Sequence, residues 1–155
     1  MTTRTRAAGL DIEKIETELR PLQMDLMALA LQGKQLHWNV EGRQFMTVHA
    51  QLDTIVSDAR AWTDEVAERI VTIGGRADGQ PADIARETSL EEVTRGRISD
   101  TEALRLITDR VGRAASRART CCTNLDEVDL GSQDICLDIL RGLEKHHWML
   151  SAQMQ

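Results

Sequence analysis

The sequence predicts an all-α protein, a four-helix bundle whose second and third helices are joined by a long crossover carrying a short helix. Three observations carry that expectation. Apolar residues recur at threes and fours through four separate segments, the spacing of one face of a helix. Tyr is absent, Phe occurs once and Pro twice, a composition that favours helix over sheet. The breaks between the segments are short, long and short in turn, which makes two antiparallel hairpins joined by one crossover.

Residues 1–10 read as a mobile tail and 11–155 as a single domain, long enough to bury a core without staples. The first helix begins near Asp11. Its stripe runs Leu19, Leu22, Leu26, Leu29, Gly33 and Leu36 and ends at His37, with Pro21 lying near the well-formed start or kinking the helix. A short break over 39–44, with Gly42, leads into the second helix, whose Leu52, Ile55, Ala59, Trp62, Val66 and Ile70 face the core. Gly74-Gly75 ends it. Residues 76–98 form the crossover, and the short helix is expected at Ser89 to Val93. Ser99 with Glu102 is a capping box opening the third helix, with Leu104, Ile107, Val111, Ala118 and Cys121 on its stripe. After a tight turn from Asp126 to Gly131, Ser132 is expected to cap the fourth, which carries Ile135, Ile139, Leu143 and Leu150.

The net charge of −6 argues against a body that wraps nucleic acid and suits metal cations better. No apolar run approaches the roughly 20 residues of a membrane span and no apolar leader opens the chain, so the reading is cytoplasmic. Three cysteines, Cys121 and Cys122 adjacent, make no disulfide framework and read as small core residues, with a redox role as the alternative.

The chemistry concentrates between His37 and Glu68. His49 and Asp53 stand four apart, as do Asp64 and Glu68, so each pair shares a direction on a helix. All four fall within a sector about 100° wide, about 150° away from the apolar stripe. Yet Asp53 and Asp64 are about 16 Å apart along the axis, whereas a metal holds its ligands at about 2 Å. One helix therefore cannot close the site. A second copy running antiparallel can, because both pairs are symmetric about one midpoint, between Asp58 and Ala59, as an isologous two-fold contact requires. The alternative is a merely solvated polar face. His37, beside the turn, could swing onto the face of His49, and imidazoles with carboxylates suit iron, zinc or manganese. A di-iron centre inside the bundle would need Glu-x-x-His on two helices, and only Glu144-Lys-His-His147 occurs.

His37-Trp38-Asn39, then Phe45 with His49 and Asp53, then Asp64-Glu-Val-Ala-Glu68-Arg69, resemble the signature of the Dps family, the miniferritins, as does Lys145-His-His-Trp148. The similarity covers residues 16 to 152. It implies a ferritin-like bundle, a hollow dodecamer, and ferroxidase sites across the two-fold interface that oxidise Fe(II) to Fe(III), with hydrogen peroxide preferred over dioxygen. By that resemblance His37, His49 and Asp53 come from one subunit and Asp64 and Glu68 from the other, iron is bound and stored, and Trp38 holds an oxidising hole or simply packs at the interface. Asp129, Asp134 and Asp138 match the acidic lining of the family's iron-admitting pores, although a carboxylate at a helix start is also favoured by the dipole. DNA binding, with nucleoid association, is the weaker alternative: the tail offers Arg4 and Arg6, and Ser151-Ala-Gln-Met-Gln has no basic residue. A structural bundle or a hydrolase using the same interface is a third reading.

Overall fold

The computed structural model describes residues 9–154; most of the expected N-terminal tail, with Arg4 and Arg6, lies outside the described residues. Helix α1 spans Ile12–Asn39, α2 Phe45–Thr72, α3 Pro81–Glu87, α4 Asp100–Leu125 and α5 Leu130–Ser151. The first hairpin is α1 against α2 and the second α4 against α5; they meet mainly through α1 and α4, which leaves one side of α2 outside the bundle. Every residue of the predicted α1 stripe is buried, and so are Leu52, Ile55, Ala59, Val66 and Ile70 of α2. No described helix is long and apolar enough to cross a membrane.

Local chemistry explains most of the boundaries. Asp11 caps α1 by accepting from the Lys14 amide, and Pro21 lies inside α1, ten residues beyond that cap, with the helix continuing past it. At Gly33 the two helices come so close that a Cβ would stand 2.7 Å from Val56 Cγ2. The turn into α2 uses Gly42 at φ +139°, where a Cβ would collide with the Asp100 carboxylate. That carboxylate instead accepts from the Gln44 amide at 2.7 Å. At the far end the Gly75 amide bonds back to the Ile70 carbonyl at 2.9 Å, with Gly74 at φ +100°, the closure that ends a helix in a left-handed residue. Ser99 caps α4 as expected, accepting from the Glu102 amide; Glu102 turns to Arg105 instead of reaching back.

Two expectations are corrected. The short helix is Pro81–Glu87, with Pro at its first turn, and not Ser89 to Val93. Leu90 and Val93 are buried three residues apart, which imitates a helical stripe, but the backbone there is held by side chains of the bundle. The fully buried Asp25 accepts from the Ser89 amide at 2.6 Å, the Ser89 hydroxyl at 2.7 Å and the Thr88 hydroxyl at 2.9 Å, while Arg110 and Gln32 donate to the Glu91 carbonyl. These bonds take the groups that a helix would pair internally. The cap of α5 is Asp129, not Ser132: its carboxylate accepts from the Ser132 amide at 2.9 Å, while the buried Ser132 hydroxyl accepts from Arg69 at 3.0 Å. The all-α expectation also meets a small exception, a two-residue parallel pairing of β1 (Val40–Glu41) with β2 (Ile98–Ser99) that pins the end of the crossover to the α1–α2 turn.

Candidate metal centre

His37 lies in the last turn of α1 and His49 in the first turns of α2, and the hairpin brings their rings together, stacked with centroids 3.6 Å apart. Each Nδ1 sits 3.0 Å from the other residue's backbone carbonyl oxygen. A carbonyl can only accept, so both Nδ1 atoms donate, and these bonds leave the Nε2 of each ring uncommitted. Hydrogen bonding of that kind orients a histidine and selects its metal-binding nitrogen. The Phe45 ring also packs against His49, tilted, with centroids 4.8 Å apart.

Asp53 Oδ1 lies 3.4 Å from His37 Nδ1 and is gripped by the Lys34 ammonium. That hydrogen bond holds the Asp53 carboxyl below its ordinary value, outweighing burial, which would raise it. The structure thus brings His37, His49 and Asp53 into one cluster. It leaves Asp64 and Glu68 farther along α2, both exposed and without a hydrogen bond or ion pair among the described residues. No group of three or more His, Cys, Asp or Glu among the described residues is placed to hold a metal ion within one subunit. Trp38, 71% exposed, points away from the core into a shallow depression shared with Leu31, Lys34 and Val93.

Of the three acids near the start of α5, Asp129 is committed inside the subunit, capping the helix and pairing with Arg69 at 2.7 Å. Burial would raise its pKa, but the bonds from Ser132 and Arg69 outweigh it and hold the carboxyl below the ordinary value. Asp138 is paired with Arg141 one turn on, and Asp134 is exposed with no partner among the described residues. Two features escaped the sequence reading. Lys34 stands three residues before His37, a same-face spacing that could have flagged it. His146 on α5 bonds Asp58 at 2.7 Å beside Trp62, a pairing between distant elements that no local pattern announces.

Two helical hairpins joined by one long crossover make a ferritin-like bundle, and the model of the ferritin-like domain family matches residues 17–155. The chain is 28% identical over 154 residues to DNA protection during starvation protein 2 of Deinococcus radiodurans, covering 99% of this chain and 64% of that protein, so it spans less than two thirds of that relative. It is 34% identical to the DNA protection during starvation protein of Agrobacterium fabrum, covering 82% of this chain and 79% of the relative. Its fold is similar to that of Dps from Microbacterium arborescens, a structure in the high iron form, with a TM-score of 0.91, 34% identity and coverage of 96% and 97% of the two chains. This chain belongs to the Dps family.

Proposed function

We propose that this chain is a ferroxidase and iron store: it pairs antiparallel with a second copy through α2 and oxidises Fe(II) between the two. The single observation that carries this reading is the locked histidine pair, whose reciprocal bonds occupy both Nδ1 atoms and leave both Nε2 atoms uncommitted, with the Asp53 carboxylate of α2 3.4 Å from His37 Nδ1. His37, His49 and Asp53 would supply half of each site, and the partner subunit's Asp64 and the partner subunit's Glu68 the other half. Carboxylate oxygens are hard donors that prefer Fe(III) to Fe(II), so the site draws the substrate towards oxidation, while neutral imidazoles keep binding weak enough for exchange. Two Fe(II) ions give one electron each to hydrogen peroxide, the preferred acceptor, whose O–O bond breaks to water; dioxygen is the alternative. The ferric product is stored in the hollow interior of a dodecamer, and consuming Fe(II) with peroxide limits oxidative damage. Trp38 holds a stray oxidising equivalent next to the site. Asp134 and Asp138, and then Asp129, line the path by which iron arrives.

Size-exclusion chromatography together with peroxide-dependent Fe(II) oxidation tests this. His49→Ala or Glu68→Ala slows oxidation by about tenfold or more, while the assembly keeps its size. Both residues lie off the core stripe, so variants that are merely unfolded monomers, or an unchanged rate in Asp53→Ala with Glu68→Ala, would sink the reading. A second reading, protection of DNA by binding it, is favoured by what the relatives are called. The net charge of −6 weighs against it, and a DNA mobility shift that persists above about 0.1 M salt would favour it.

A further inference from the structure

Away from α2, the sequence places three cysteines on either side of the turn between α4 and α5, and the fold buries all of them as free thiols. Cys121, in the last turns of α4, faces Cys136 of α5, with the two Sγ atoms 2.9 Å apart. Both are essentially inaccessible, at 1% and 0% exposure. Cys122 is Cys121's chain neighbour, and successive residues on a helix point about 100° apart, so it is turned away from that pair. A disulfide bond is about 2.05 Å long, so about 0.9 Å of approach by two side chains already in contact would complete one. The sequence separation is 15 residues, and the enclosed loop is the α4–α5 turn together with Asp129 and Asp134.

We propose that Cys121 and Cys136 form a peroxide-oxidisable dithiol, whose disulfide staples α4 to α5 behind the acidic start of α5. The inference rests on this contact alone and not on the metal reading. One thiol loses its proton and its sulfur attacks hydrogen peroxide, breaking the O–O bond; hydroxide leaves and a sulfenic acid remains. The second sulfur attacks the first, the S–S bond forms and water is released. Two thiols lose two protons and two electrons, and one peroxide becomes two waters. Peroxide is small and uncharged, so entering a buried site costs it little compared with an ion. The reaction is nevertheless slow. Hydrogen bonding to Cys121, and burial after it, push the Cys136 thiol well above the ordinary range, so attack waits on opening of the hairpin.

The test uses assembled, iron-free protein treated with hydrogen peroxide, then denatured in an alkylating agent and mapped without reductant. Thr120 to Arg141 carries all three cysteines and no internal Lys or Arg, so trypsin keeps them together and a second cut after Glu127 separates Cys121 and Cys122 from Cys136. Two of three thiols should be lost to alkylation, the two fragments should stay linked until reduced, and the oxidised protein should melt several degrees higher. Cys122→Ser should keep the link, and Cys121→Ser and Cys136→Ser should each abolish it. Three alkylatable thiols after treatment, a link that survives in Cys121→Ser, a link between Cys121 and Cys122, or sulfinic acids without a cross-link would each overturn the proposal.

Discussion

Lys34 and the proposed metal compete for the same carboxylate. The Lys34 ammonium sits on Asp53 Oδ1, so a cation arriving there must displace it. Lys34→Met removes the competitor and keeps the aliphatic stem packed. Zn(II), a redox-inert stand-in, should then bind the assembled protein about two to five times more tightly, the scale of one exposed ion pair. Calorimetric titration of the two proteins checks it; weaker binding in the variant would mean that Lys34 orients Asp53 and does not block it. The ligands themselves were legible because His, Asp and Glu at helical spacing can be counted along the chain. Their lock was not. It depends on α1 and α2 approaching as closely as Gly33 and Val56 allow, and this brings each ring onto the other residue's backbone.

The same division runs through the elements. Helices α1, α2 and α4 could be read because their apolar residues repeat with the period of a buried face, and Gly74-Gly75 and Ser99 mark ends by their own local chemistry. The crossover could not, since Asp25, Gln32 and Arg110 reach it from helices distant in sequence and hold its backbone. The start of α5 was misplaced because Asp129 and Ser132 are both good caps, and only Arg69, arriving from α2, assigns them separate tasks. Asp129→Ala should therefore cost about 1–2 kcal/mol at pH 7, the worth of a lost cap. The sign with pH follows from the lowered folded pKa. The Asp129 contribution is complete above the ordinary carboxylate pKa of about 3.9 and disappears as pH falls through the still lower folded value. Denaturation midpoints of wild type and variant should thus differ at neutral pH and converge on acidification below about pH 4. A gap that stays constant would assign the loss to packing and not to the carboxylate.

For the molecule as a whole, the proposed dimer makes a demand that exposure can answer. If α2 pairs with its copy about a midpoint between residues 58 and 59, every residue on the outward face must meet the residue equally far beyond that point. His49 with Glu68 and Asp53 with Asp64 obey this in the sequence. Met46 and Val71 are equally far from the same midpoint, and both are apolar side chains left in solvent by the subunit, at 72% and 42% exposure. Apolar ends flanking a polar, ligand-bearing centre make a self-complementary strip suited to an isologous contact. Met46→Glu or Val71→Lys alone would bury an unpaired charge there, which costs association while leaving each subunit folded, since neither side chain is in the core. Sedimentation velocity should show a smaller assembled fraction for either single variant at unchanged helicity, and Fe(II) oxidation should fall with it. The double variant is the sharper measurement. Across the axis each introduced carboxylate would face an introduced ammonium, so assembly should recover well beyond the sum of the two single effects. Two effects that simply add would place residues 46 and 71 apart and exclude this register for the shared site.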